Sequence, residues 1–290
     1  MSLEGFLFIL LSAFFHVLWN TFLKGARDKT SAIVGIMAVA ALGMVVYTWL
    51  SGTAAGALRP GVLLCAGAAG FFFFLYQYYV ARALNRGDLS RIYPLTVTGP
   101  IYIAVWSYFL LQERISLLGG LGILLIIYGA VSIQTNSLRL PLNRILGEDL
   151  KRSGALFAIM AAFFYSFGAV ADKIGVSVGR VSAYTMDLCL VMAVFHIVFS
   201  LLQKRLHAAA RSIISHPLPV LAGGATLMLS FITFRYGLEQ VYASYASALR
   251  QVSTLFGIGL GYFVFREPFG LTRVLGTLLI VLGAAGLKLG

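Results

Sequence analysis

The sequence predicts an all-α polytopic membrane protein, with ten transmembrane helices arranged as two inverted five-helix repeats. Three observations lead there. Of the 290 residues 60% are hydrophobic and only 11% charged, against about 25% charged in ordinary soluble domains. Apolar runs of roughly 20 residues, the length that crosses a hydrocarbon core, recur along the whole chain. Finally, YFLLQERISLLGGLGILLIIYGA (Tyr108 to Ala130) returns as YFVFREPFGLTRVLGTLLIVLGA (Tyr262 to Ala284), 154 positions later and with 11 of 23 aligned residues identical. Apolar runs match by chance in hydrophobic letters, but a shared Tyr-Phe pair, a shared Glu and two shared glycines are evidence of internal repetition.

Taken in order, the spans fall at about 3–23, 31–51, 61–83, 89–111 and 117–134, then 154–172, 183–203, 218–237, 243–265 and 271–288. The first span aligns with the sixth, GFLFILLSAFFHVLWNTFLK (Gly5 to Lys24) facing GALFAIMAAFFYSFGAVADK (Gly154 to Lys173), at an offset of 149. A short insertion therefore separates the halves. The first span carries His16 and Asn20, shows no small-residue cleavage site and recurs inside the chain, so it reads as part of the fold and not as a removed signal. Residues 1–134 form the first repeat, 135–153 a linker with Pro141, Gly147 and six charges, and 154–290 the second repeat. Five spans per repeat is an odd number, so the second copy enters the membrane upside down. The halves are then related by a pseudo-two-fold axis in the membrane plane, as in many secondary transporters.

The net charge of +12 comes from basic residues dispersed in short loops, with no basic domain to mark a nucleic-acid footprint. Fourteen Lys and Arg fall in odd-numbered loops and six, Lys173 and Arg235 among them, in even loops and the tail. That places the odd loops in the cytoplasm and both termini outside. Cys65 and Cys189 each lie within an apolar span and pack as small hydrophobes, so neither a disulfide nor a metal site is expected. The glycines at 119, 120 and 122 and at 257, 259 and 261 follow no strand and have no acidic partner at dinucleotide-site spacing. They read as helix-packing glycines, Gly257-xxx-Gly261 above all. No HExxH, nucleophile elbow, Walker loop or paired-Asp motif is present, and no cofactor is expected.

Arg250 lies about a third of the way into the ninth span, where a charge costs several kcal/mol unless it faces a cavity or a partner. Stepping by three or four residues joins it to Glu239, Ala243, Ala246, Ser253, Thr254 and Gly257, one face of small and polar groups. The alternatives are an arginine snorkelling to the interface or one locked in a structural ion pair. On the first span Ser12, His16, Asn20 and Lys24 form one polar stripe with Trp19 beside it, and Tyr165 is the repeat counterpart of His16. Such groups need partners inside a membrane, and a packing role for His16 competes with a binding one. Tyr76, Gln77 and Tyr79 on the third span, Tyr93 on the fourth and Tyr245 beside Tyr242 on the ninth complete the lining candidates. Aromatic faces suit an amine and Arg250 an anion, which together suggest a zwitterion. Of the few acids, Asp187 could carry a coupling proton or pair with an Arg, and Glu239 lies near a span end. Glu113 and Glu267, at symmetric span ends, are read mainly as helix-end or loop pairing.

A Glu that closes one span, followed by a span of the type LGxLLIxxGA, occurs twice across ten spans. This pattern resembles the EamA-type members of the drug/metabolite transporter superfamily, over the whole chain. The HVLWN stretch of the first span is similar to a sub-branch associated with phosphonate use. The resemblance implies a five-plus-five inverted repeat around a central cavity that moves small organic solutes. Sugar-phosphate and nucleotide-sugar members of the superfamily place basic residues in the ninth span to hold phosphate, which implies the same role for Arg250. Family members are often drawn with both termini in the cytoplasm, the opposite of the charge count. The expectation is thus a secondary transporter, monomer or homodimer, in a bacterial inner membrane, taking a small polar, anionic or zwitterionic metabolite. A flippase for a lipid-linked head group is the alternative. An intramembrane enzyme would need a nucleophile or metal constellation, for which no motif was found.

Overall fold

The computed structural model describes all residues except 27, 87–91, 93–94, 140–153, 216 and 264–269, and the side chains of 30, 209, 212, 213 and 263. The secondary structure of the described residues is helical throughout. In chain order the helices are α1 (Leu3–Gly25), α2 (Lys29–Leu50), α3 (Pro60–Leu84), α4 (Gly99–Leu110), α5 (Leu117–Thr135), α6 (Ala155–Val178), α7 (Val181–Leu202), α8 (Leu206–Ser215), α9 (Pro217–Gln240), α10 (Ala243–Arg250), α11 (Ser253–Phe263) and α12 (Leu271–Leu289). Local chemistry sets several of the ends. Ser2, Asp28 and Ser116 each accept a hydrogen bond from an amide three residues on, satisfying donors that the helix start leaves open. Pro60 starts α3, where its missing N–H does no harm, and Asn136 in left-handed conformation (φ 49°) ends α5.

Eight of these helices are long and apolar enough to cross a membrane, and they match eight of the ten expected spans. The fourth and ninth expected spans are interrupted. In the fourth, Leu95 and Thr96 are helical, Val97 and Thr98 turn, and α4 begins at Gly99. In the ninth, α10 stops at Arg250, Gln251 and Val252 turn, and α11 begins at Ser253. The two breaks lie 154 positions apart, the repeat offset itself. Pro100 accounts for the first, since it has no amide to give the preceding turn. In the second, Gln251 and Val252 donate three residues back, to Ala248 and Leu249, the tightened turn that often ends a helix.

The main packing pairs are α1 with α9, α3 with α6, α5 with α12, α2 with α7 and α9, and α3 with α7. The α5–α12 crossing brings backbone against backbone. A Cβ added to Gly122 would sit 2.7 Å from the Gly283 carbonyl oxygen, and one added to Gly129 would sit 2.6 Å from that of Gly276. Backbones this near admit no side chain between them. The glycines singled out in the ninth span behave otherwise: a Cβ at Gly257 or Gly259 meets nothing within 4 Å. The reading of Gly257-xxx-Gly261 as a packing motif is therefore corrected for Gly257, whose α-carbon faces open space. Cys65 and Cys189 are free thiols, half-buried and buried.

Candidate functional site

The helix that carries Arg250 is held at its other end by Glu113. This carboxylate is buried, and it accepts from the Ala243 amide (2.6 Å), the Ser244 amide (3.3 Å) and the Ser244 hydroxyl (2.9 Å). A negative group on the open amides of a helix start is favourable both as a hydrogen-bond acceptor and against the helix dipole. On the other side of the same turn, Lys173 of α6 donates from Nζ to the carbonyls of Leu238 (2.7 Å), Val241 (2.9 Å) and Glu239 (3.3 Å). The turn between α9 and α10 is thus gripped by an ammonium on its outgoing carbonyls and a carboxylate on its incoming amides. A cleft of about 400 Å³, lined by Leu110, Glu113, Lys173, Ser177 and Tyr242 among others, opens beside it.

At the far end of α10 the Arg250 guanidinium meets the first helix. Its Nη2 lies 3.2 Å from His16 Nδ1, and its Cζ lies 4.4 Å from the centre of the Phe234 ring on α9. Trp19 donates from Nε1 to the same His16 nitrogen, at 3.0 Å. Guanidinium and indole can only donate, so Nδ1 is the acceptor for both, and a neutral His16 carries its proton on Nε2. Tyr165 and Tyr76 pack with ring centres 5.1 Å apart, and Tyr165, Arg235, Asp172 and Tyr76 are the groups within electrostatic reach of Arg250. Tyr165 also lies against Gly99, at the start of α4, where an added Cβ would be 3.1 Å from the ring. Both helix breaks therefore reach the same cluster, one through Arg250 and the other through Gly99 and Tyr165. Beyond Arg250, Ser253, Thr254 and Gly257 are half-buried.

The remaining sequence candidates are placed elsewhere or turned to other partners. Asn20 is exposed and folds back to donate to the His16 carbonyl at 2.7 Å. Gln77 bonds His196 of α7 at 2.7 Å, and the second ring nitrogen of His196 is on the Met192 carbonyl. Both ring nitrogens of His196 are thus occupied, Nδ1 by that carbonyl and Nε2 by Gln77 Oε1. Tyr79 stacks on Phe164 (5.2 Å) and Phe157 (6.1 Å). Tyr245 is buried, its hydroxyl accepting from the Ser116 amide at 3.2 Å against the start of α5. Asp187 is fully buried and accepts from the Leu58 amide at 2.9 Å, while its Oδ1 has no hydrogen-bond partner among the described residues. Glu239 is exposed. Tyr93 and Glu267 lie outside the described residues.

A second buried arginine escaped the sequence reading, which counted it among loop charges. Arg235 of α9 donates from Nε to Asp172 of α6 at 2.9 Å, and the Tyr184 hydroxyl of α7 donates to the same oxygen at 2.8 Å. Both charged side chains are about 2–3% exposed. The signal available was the rule that intramembrane charges pair, applied to the opposite charges of the sixth and eighth spans. Lys173, also counted as a loop charge, sits within α6. Arg250 differs from Arg235 in one respect: among the described residues no carboxylate lies at ion-pair distance from it.

The model of the EamA-like transporter family matches residues 3–135 and again 152–289. The chain belongs to the EamA-like transporter family. An uncharacterized transporter of Methanothermobacter thermautotrophicus is 27% identical over 192 residues, 63% of this chain and 52% of that relative, so the match spans about half the relative's length. A solved crystal structure aligns over 99% of this chain and 97% of its own, with a TM-score of 0.74 at 19% identity, and shares the fold. This EamA-like chain is accordingly a multi-pass membrane protein of a transporter family.

Proposed function

We propose that the protein is a secondary transporter that moves a small anionic or zwitterionic organic metabolite by alternating access, with Arg250 receiving its anionic group. The observation that carries this reading is the contrast between the two buried arginines. Arg235 is neutralised by Asp172, while Arg250 is held by a neutral imidazole, an indole-supported hydrogen bond and an aromatic face. An intramembrane cation without a counter-ion is costly, and an anion arriving with the substrate removes that cost. The planar guanidinium gives two parallel charge-assisted bonds to a carboxylate or phosphate. Tyr76, Tyr165 and Trp19 supply faces for the rest of the solute.

Two inverted five-helix units, 1–134 and 154–290, are the scaffold proposed for this site. The glycine register supports it. Gly122 approaches Gly283 and Gly129 approaches Gly276, whereas the sequence repeat equates Gly122 with Gly276 and Gly129 with Gly283. Each glycine thus meets the counterpart of the other, the relation a two-fold axis imposes. The pairing of α1 with α9 and of α3 with α6 follows the same rule. Two broken helices at equivalent positions fit the transporter pattern in which discontinuous helices form the midplane site. A bacterial inner membrane, and action as a monomer or homodimer, complete the proposal.

The test is a thermal-shift screen of the purified protein against amino acids, phosphonates, amines and sugar phosphates, since a ligand of the folded state raises its apparent stability. The dissociation constant of the best ligand is then measured for Arg250→Lys and Arg250→Ala. Loss of charge-assisted bonds is expected to weaken binding by on the order of tenfold to a hundredfold in Arg250→Ala, and by less in Arg250→Lys. Equal affinity in wild type and Arg250→Ala refutes the assignment.

A further inference from the structure

The offset between the halves grows from 149 to 154, and the extra residues have a location. The α7–α9 connection, 203–216, is fourteen residues long where the α2–α3 connection, 51–59, has nine. In place of the single 3-10 turn Ala54–Gly56, the longer connection forms the ten-residue helix α8. This helix packs on α2, α7 and α9. It leaves a groove of about 260 Å³ whose walls include Phe22, Ala32, Ile36, Ala208, Arg211 and Val220.

The charges around the groove do not cancel. Asp28, the acidic residue of its wall, is already engaged: it accepts from the Ser31 amide (3.2 Å), the Ser31 hydroxyl (2.6 Å) and Arg205 (3.3 Å). Arg211 in the wall, Lys29 next to Asp28 and Lys204 next to Arg205 are all exposed. Close by in the chain, Leu202, Ile214 and Leu218 are 76, 78 and 75% exposed. Apolar side chains so bare in a membrane protein belong against lipid, and basic residues beside them belong at the headgroup level.

We propose that this groove binds an anionic phospholipid, with its phosphate on Arg211 and the upper part of an acyl chain along Phe22, Ile36 and Val220. A free soluble anion would have no use for the apolar trough, and a zwitterionic lipid gains less from the excess positive charge. The site is separate from Arg250, so its fate does not bear on the transport reading.

The experiment is native mass spectrometry of the full-length protein released from a neutral detergent, after equilibration with equal amounts of phosphatidylglycerol and phosphatidylcholine of the same chains. Retention of phosphatidylglycerol should exceed that of phosphatidylcholine. One basic residue near a membrane surface corresponds to a preference of about fivefold, and Arg211→Gln should remove about that much. Arg211→Lys should keep most of it. Ala208→Trp fills the groove without changing charge and should lower retention of both lipids. Equal retention of the two lipids by wild type, or an unchanged ratio in Arg211→Gln, overturns the proposal. Full phosphatidylglycerol retention by Ala208→Trp overturns the groove as the seat of the chain, and competition by millimolar inorganic phosphate alone would show an anion site and not a lipid site.

Discussion

Replacing Arg235 and replacing Arg250 should have opposite consequences, although both remove one buried arginine from one membrane protein. Arg235→Gln strands the Asp172 carboxylate, which is 1% exposed and among the described residues keeps the Tyr184 hydroxyl. Breaking one side of a buried pair costs about 3–5 kcal/mol, because the surviving charge is left unpaired in a medium that solvates it poorly. At roughly 2 °C per kcal/mol for a chain of this size, the apparent Tm should fall by about 6–10 °C. Asp172→Asn should fall similarly. The double variant, which leaves two neutral amides in place of an orphaned charge, should be more stable than either single one. Arg250→Gln orphans nothing, since His16 Nδ1 keeps the Trp19 donor, and its loss should stay below about 1 kcal/mol. Intrinsic-fluorescence melting in one detergent and at one scan rate measures all four. If Arg250→Gln melts as low as Arg235→Gln, Arg250 is a structural residue and the distinction between the two arginines fails.

Three further outcomes are expected. Glu113→Gln should lower stability by about 2 kcal/mol through the weakened start of α10, and should speed thiol labelling of Ser177→Cys in the adjoining cleft; unchanged melting and labelling would mean the clamp is idle. Gly129→Ala should cost about 1–3 kcal/mol by overpacking against the Gly276 carbonyl, whereas Gly257→Ala, with open space around its Cβ, should be neutral or up to about 1 kcal/mol stabilising; similar melting of the two would contradict the close α5–α12 crossing. A cysteine at Lys29 should resist an impermeant reagent in intact cells, as the loop charges require, and prompt labelling would reverse the assigned orientation.

The spans were legible because a bilayer leaves little choice: a backbone that crosses it must be helical and its side chains apolar. The first break is marked only by Pro100 within an otherwise apolar run, whereas the second falls in the polar stretch Arg250-Gln251-Val252-Ser253-Thr254, a signal that the ten-span reading ran through. Arg250, His16 and Trp19 stood out as polar groups inside apolar runs, and the structure joins all three. Tyr245 was drawn to Arg250 by nearness in sequence, yet five residues along a helix turn the side chain by roughly 140°, and it packs on α5 instead. Gln77 is a lining candidate on its depth in the third span, while its partner His196 lies 119 positions away and nothing local announces it. Arg235 was counted with the loop charges although the expected eighth span, 218–237, already enclosed it, and a charge two residues from the end of a span is easily taken for an interfacial one.

On the inverted-repeat reading, and with Arg250 as the proposed anion site, what the two halves do not share carries the ligand chemistry. The scaffold pairs recur: the glycines of α5 and α12, the broken spans and the packing of α1 on α9 and α6 on α3. The residues that hold a positive charge do not. Arg250 corresponds to Thr96, His16 to Tyr165, Trp19 to Gly168 and Phe234 to Val80. In the first half, therefore, the equivalent of Arg250 carries no charge, the counterpart of His16 is a phenol in place of an imidazole, and Val80 stands where the Phe234 ring would be. The first half contributes Tyr76 together with His16 and Trp19, and the second returns Tyr165 against Tyr76, two rings whose π-faces bind by contact area and not by charge. In the proposed site a solute beside this ring pair would be oriented by the single guanidinium on one side. Symmetric gating requires that the scaffold be the same when viewed from either side of the membrane, whereas recognition requires that the site be different along the solute. The positions at which the repeats diverge meet the second requirement without disturbing the first.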